Sequence, residues 1–222
     1  MKICSIYKHM EAGAAAVPMG ANSKLVFRHS IRKKIESGAG REVELTSEGC
    51  EMARWFGSNL DVEIGHVASS SCKRNIDTCK WILDGKGVER EIEIASDELE
   101  CPQAKDLELS SKVFEQYNFE STKIIHDLKM KGLPGFNTIR VASQIMLDYI
   151  FKTGNKRDTV DLYCTHDFQM AILYARLFDY DPTPATLKEL KWPMMLEGMI
   201  LWGEREHFWC AWRNEIREFI SY

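Results

Sequence analysis

The sequence contains no apolar run near the ~18 residues that a membrane-spanning helix needs, no internal repeat and no low-complexity stretch. A helical membrane protein and a repeat array are thereby excluded. Ala12 to Val17 is small and apolar, but Lys8, His9 and Glu11 break the core that a signal peptide requires, so no secretory leader is expected. Positive charge is in short supply: 29 basic against 33 acidic residues give a net charge of −4, which argues against a general nucleic-acid binder. The seven cysteines, Cys4, Cys50, Cys72, Cys79, Cys101, Cys164 and Cys210, form no Cys-x-x-Cys pair. Their number is odd and several lie in apolar segments, which reads as reduced thiols in a cytoplasmic protein. No Walker-type glycine loop and no cluster with metal-ligand spacing occurs, so nothing calls for a metal or a cofactor.

What is present is an ordinary soluble composition, 45% apolar and 28% charged over 222 residues. That length suits one α/β domain spanning 1–222, with an insertion. The chain is organised around Leu25 to Arg32. Leu25-Val26-Phe27 is the size of a buried strand end, and it delivers Arg28, His29 and Arg32 into the following loop. Loops at the carboxyl ends of parallel strands are where open α/β sheets hold ligands. Two guanidinium groups around one imidazole call for an anion, and their planar forks suit phosphate. Lys24, Lys33, Lys34 and Arg41 add to a basic cluster opposed locally only by Glu36, a focused field for a small anion.

The pattern of strand, polar loop and helix recurs. A short helix and a loop precede the first strand, and Gly38-Ala39-Gly40 marks a turn after the arginine loop. Thr46 is an N-cap for a helix whose Met52, Phe56 and Leu60 share a face, with Gly49 and Gly57 allowing close neighbours. Val62 to Ser69 is a second strand, and its loop carries Ser70 and Arg74 into a helix that Asp84-Gly85-Lys86-Gly87 stops. Glu91 to Ala95 is a candidate strand leading to Asp97, Glu98 and Glu100. Residues 101–140 read as helical insertion covering the site, followed by an amphipathic helix over Ile139 to Phe151. Thr159 to Cys164 is a clear strand running into Thr165-His166-Asp167 and a helix over Phe168 to Phe178. Met199 to Trp202 and Phe208 to Trp212 predict an antiparallel hairpin at a sheet edge, turning at Gly203 to Glu206. Its exposed edge leaves the oligomeric state open.

Four motifs in order resemble the histidine phosphatase superfamily, which includes phosphoglycerate mutases and histidine acid phosphatases. Arg28-His29 with Arg32 resembles Arg-His-Gly-x-x-Arg. Leu45-Thr46 with Gly49 and Ala53 resembles Leu-Thr-x-x-Gly-x-x-x-Ala. Ser70 with Arg74 and Thr78 resembles Ser-x-x-x-Arg-x-x-x-Thr, and His166-Asp167 resembles the acid-phosphatase His-Asp pair. Ser30 replaces the usual glycine, Ser71 a frequent proline and Cys79 a common alanine; none of these removes a charge. The resemblance implies a three-layer α/β/α fold with a mostly parallel central sheet.

The chemistry follows. Phosphoryl transfer needs an in-line nucleophile and charge stabilisation. Neutral His29 would form a phosphohistidine, with Arg28, Arg32, Arg74, Ser30 and His166 binding the phosphoryl group. Asp167 is the first choice of proton donor, with Glu98 and Glu100 as alternatives. The expected partner is a phosphorylated small molecule or phosphoprotein, with neither nucleic acid nor membrane. A mutase and a non-catalytic phospho-ligand module remain alternatives. Plainer readings stay open for single residues: Arg32, Lys33 and Lys34 as a solvated basic face, Arg74 paired to Asp77, His166-Asp167 as a helix cap, and Cys72 or Cys164 as a thiol nucleophile beside His166.

Overall fold

The computed structural model describes residues 7–35, 40–181 and 192–220. Glu36, the Gly38-Ala39 turn and Cys4 lie outside the described residues. Strands β1 (Ser23–Arg28), β2 (Glu63–Ser69), β3 (Glu93–Ile94) and β4 (Thr159–Thr165) are parallel; β5 (Gly198–Glu204), β6 (His207–Trp212) and β7 (Glu215–Ile220) extend the sheet antiparallel. The order is β3-β2-β4-β1-β5-β6-β7. The parallel part is therefore the four strands β3-β2-β4-β1, with β4 inside it and β1 joining it to the antiparallel part.

Alternation along β1 sets the layers. Leu25 and Phe27 point to one face and Val26 to the other, because successive side chains of a strand oppose each other. The first face packs on α1 (Lys8–Ala15), α2 (Ser47–Ser58) and α3 (Lys73–Lys86), through Met10, Phe56 and Ile82. The second packs on α4 (Ser96–Leu99), α7 (Ile139–Lys152) and α8 (Asp167–Leu177), through Leu99, Met146 and Leu173. Helices α5 (Leu107–Gln116) and α6 (Ser121–Lys131) make a third cluster, Val113, Ile124 and Leu128 against Phe168 and Ile172 of α8.

The structure corrects several local expectations. Helix α3 runs through Gly85 and ends at Gly87, which takes the left-handed φ of 70°. Gly85 is a contact residue: a Cβ there would lie 1.9 Å from the Arg54 carbonyl oxygen of α2. The strand expected over Glu91 to Ala95 shrinks to Glu93–Ile94 because Ser96 opens the α4 turn. The C-terminal hairpin gains a third strand, β7, whose residues are mostly exposed around one buried Phe219, so no apolar run announces it. Its Glu215, Arg217 and Glu218 charge the sheet edge, a feature that discourages strand addition. Gly203 and Glu204 belong to β5, and the turn falls at Arg205-Glu206.

Lys24 is the largest departure. It faces away from the arginine loop and is completely buried. Its Nζ donates to Asn22 Oδ1 at 2.8 Å, Asn155 Oδ1 at 3.0 Å and Asp161 Oδ2 at 3.4 Å. Burial lowers its pKa and Asp161 opposes that shift. This ion pair fastens the opposite end of β1 to β4.

Candidate active site

The loop leaving β1 is fixed by its backbone. Arg28 N–H donates to the Glu197 carbonyl at 3.0 Å and His29 N–H to the Thr165 carbonyl at 3.1 Å, so the flanking strands set the height of both side chains. Ser30 N–H donates to Thr78 Oγ1 at 3.0 Å, and Ser30 Oγ donates to the Gly49 carbonyl at 2.7 Å. Ser30 thus ties the loop to α2 and α3. Gly49 permits this: a Cβ there would lie 2.1 Å from the Ile31 carbonyl oxygen. Thr46 Oγ1 caps α2 by accepting from Gly49 N–H at 3.0 Å.

His29 is 2% exposed. Its Nδ1 lies 2.7 Å from the Ser30 carbonyl oxygen, and Arg74 Nε donates to its Nε2 at 3.2 Å. A carbonyl only accepts and a guanidinium only donates. The proton therefore sits on Nδ1 and the lone pair on Nε2. Burial, then the charge of Arg28 and that of Arg74, push the His29 pKa down to about 3, while the Ser30 hydrogen bond opposes them. The imidazole is neutral around pH 7.

Arg74 bridges two imidazoles. Its Nη2 lies 3.2 Å from His166 Nδ1, and its Nη1 donates to the Gly40 carbonyl at 2.7 Å. The same reasoning makes His166 Nδ1 an acceptor and places the proton on Nε2, 3.0 Å from Ser70 Oγ. Burial first, then Arg74, His29 and Arg28, lower the His166 pKa well below its ordinary value. His166 is thus neutral here. The two rings meet edge to face at 5.6 Å. Arg74 does not pair with Asp77; Lys73 does, at 3.1 Å.

Arg28 Nη2 pairs with Asp167 Oδ2 at 2.9 Å and its Nη1 donates to the Pro193 carbonyl at 2.7 Å. Its buried Nε–H has no hydrogen-bond partner among the described residues, a donor suited to an anion. Arg32 donates to the Lys33 carbonyl at 2.9 Å, and burial, Arg74 and Arg28 lower its pKa, which places it in the same field. Lys33 pairs outward with Glu44 at 2.8 Å, and Lys34 is exposed.

The carboxylates separate by position. Burial would raise the Asp167 pKa, but Arg28, the Trp192 hydrogen bond and His29 outweigh it and hold the group below the usual range. Asp167 is therefore an ionised partner of Arg28, against the raised pKa expected of a proton donor. Glu98 sits on α4, where its charge is felt by Tyr149. Glu100 is 8% exposed. Its Oε2 accepts from Ser71 N–H at 3.1 Å and from Ser71 Oγ, and its Oε1 pairs with Arg41 at 2.8 Å. Glu100, Arg74 and His166 all line one cavity of about 350 Å³ roofed by α5 residues. The thiols do not compete for the chemistry: burial raises Cys72, and Cys164 well above the ordinary value.

Sequence reasoning missed the support behind Arg28. Glu197, 1% exposed, accepts from Arg213 Nε at 3.0 Å and lies 3.0 Å from His9 Nε2, fixing the segment that holds the arginine. No motif marks these residues; only the β5 and β6 pairing brings them together. The remaining histidines are structural: His66, His126 and His207 each sit beside a carboxylate, at 3.4, 2.8 and 2.7 Å. Among the described residues no group of three or more His, Cys, Asp or Glu could hold a metal, and no helix is long and apolar enough to cross a membrane.

A central parallel sheet that gathers two imidazoles and several guanidinium groups at one end defines a class of phosphate-handling α/β proteins. The chain belongs to the histidine phosphatase superfamily, branch 1, whose family model matches residues 26–191. Its fold is similar to that of Bacillus stearothermophilus YhfR, at 16% identity, with 89% of this chain and 98% of that one covered and a TM-score of 0.59. Similar too are a phosphoglycerate mutase from Bacillus anthracis (15% identity, 86% and 91% covered, TM-score 0.55) and a mycobacterial glucosyl-3-phosphoglycerate phosphatase (13%, 88% and 100%, 0.54). No curated protein matches the chain in sequence.

Proposed function

We propose that the chain is a cytoplasmic, metal-independent phosphatase that hydrolyses a phosphomonoester through a phosphohistidine on His29. The observation that carries this reading is the locked tautomer: a neutral, buried imidazole with its Nε2 lone pair facing Arg74. Nε2 attacks phosphorus in line, and the phosphorus–ester oxygen bond breaks. Arg28, Arg32 and Arg74 compensate the charge on the equatorial oxygens, the task a metal performs elsewhere. His166 and Ser30 position the arginine and the loop.

Glu100 is the proton donor in this reading, ahead of Asp167 and Glu98. It lines the cavity with Arg74 and His166, whereas Asp167 pairs with Arg28 and does not line it. Glu100 takes up a proton with the substrate and gives it to the leaving oxygen. Its carboxylate then receives a proton from the water that attacks the phosphohistidine, releasing inorganic phosphate. The six described cysteines are free thiols, which supports a reducing compartment. The helical segment within 101–140 belongs to the same single domain, 1–222, and roofs the cavity.

A mutase would need a cation to hold a second acidic group of its substrate, and Arg41, the cavity's further cation, is already paired with Glu100. Release of inorganic phosphate from a panel of phosphomonoesters and phosphopeptides tests the reading, with phosphoglycerate isomerisation assayed in parallel. Phosphate release that disappears in His29→Ala is the expected result. Isomerisation without net phosphate release would favour the mutase, and inertness to every donor would favour a phospho-ligand module.

A further inference from the structure

The cavity beside the phosphoryl site has two unlike halves. Its floor carries Arg74, His166 and the Arg41–Glu100 pair. Its walls carry Leu107, Phe114, Phe119 and Phe168. Phe114 meets Phe168 at 5.1 Å and stacks on Phe119 at 6.5 Å, so three rings of the lining are in contact with one another.

Phe119 is the unusual one. It is 65% exposed, and Leu107, which also lines the cavity, is equally so. Asn118 and Phe119 have φ of 49° and 58°, left-handed values that a bulky side chain rarely adopts. The Phe119 N–H donates to the Phe114 carbonyl at 2.8 Å, which holds that conformation. A strained backbone that presents a large ring to water at the rim of a cavity costs stability without covering core. Contact with a ligand is the physical return for such an arrangement. The cavity's volume, about 350 Å³, suits a small ligand. Neither of its arginines is left for a charged leaving group: Arg41 is paired with Glu100, and Arg74 faces His29 and the phosphoryl group.

We propose that the leaving group of the substrate is an uncharged, ring-bearing alcohol or phenol that packs against Phe114 and Phe119. This rests on the hydrolase reading above and names its substrate class. The ester oxygen lies toward Glu100, which protonates it as the bond to phosphorus breaks; the ring occupies the apolar half.

Benzyl phosphate and glycerol 3-phosphate test this, because both release an alkyl alcohol and differ in the group that fills the cavity. The expected kcat/KM is about tenfold higher for benzyl phosphate, the scale of an aromatic pair plus the area it buries. Phe119→Ala, at an exposed position, lowers that ratio about fivefold, mainly through KM for benzyl phosphate. Labelling of His29 by phosphoramidate, which has no leaving-group ring, is measured alongside. Labelling with equal kcat/KM for the two esters, or with a ratio untouched by Phe119→Ala, overturns the inference and leaves the hydrolase reading standing. No labelling and no turnover of either ester overturns both.

Discussion

At the scale of single residues, position separates carboxyl groups that the sequence leaves equivalent. If Glu100 is the proton donor proposed above, Glu100→Gln should lower kcat by ~10²–10⁴ for an alkyl phosphate. The loss should be much smaller for 4-nitrophenyl phosphate, whose leaving group needs no proton; equal losses on the two would contradict the assignment. Asp167→Asn acts only through Arg28 and should raise KM more than it lowers kcat. The His29 pKa of about 3, against an ordinary 6.5, has a consequence for folding. Between those values the unfolded chain binds the proton and the folded chain does not, so stability rises with pH across that window. Denaturant titrations from about pH 4 to pH 7 should show this rise, and His29→Gln should flatten it. The meeting of His29 and Arg74 was legible from short motifs, because each lies in or just beyond the loop that follows a strand. The choice of Glu100 was not, since it depends on Ser71, Arg41 and the cavity meeting across separate loops.

At the scale of elements, α2 is the part that shapes the nucleophile loop. Gly49→Ala would drive a methyl group into the Ile31 carbonyl. Overpacking of this kind costs about 1–3 kcal/mol, and here it should also lower kcat, because Ser30 is tied to the same turn. Thr46→Ala removes the cap and a long hydrogen bond from Thr46 Oγ1 to the Ile31 carbonyl at 3.4 Å, and should cost about 1 kcal/mol with a smaller loss of kcat than Gly49→Ala; thermal melts with steady-state kinetics separate the two. Both residues were readable in advance, Thr46 as a cap and Gly49 as a contact. The two strands that sequence periodicity handled poorly, β3 and β7, are short or mostly exposed. The Glu91-Ile92-Glu93-Ile94 alternation announced β3 and only its length was overstated, whereas the apolar residues of β7, Ile216, Phe219 and Ile220, do not alternate.

At the scale of the whole molecule, the two ends of the parallel sheet have different duties. The carboxyl end gathers His29, Arg74 and His166; the amino end holds Lys24 and Asp161 in a buried pair. Lys24 stands four residues before Arg28, so proximity in sequence suggested a shared basic pocket. Its partner Asp161 lies on β4, which pairs with β1 in register, and no local pattern could show that. Lys24→Met should leave Asp161 buried without its cation, held only by the Asn22 side chain and the His66 and Asn155 N–H groups, costing up to about 3–5 kcal/mol, with KM for the folded protein unchanged. The claim on which the whole account turns is a covalent bond between phosphorus and His29 Nε2. Incubation with a ³²P-labelled phosphomonoester, followed by denaturing quench and peptide mapping, tests it directly. The account predicts alkali-stable, acid-labile label on His29, absent from His29→Ala. Label on another residue, or full turnover by His29→Ala, would contradict it.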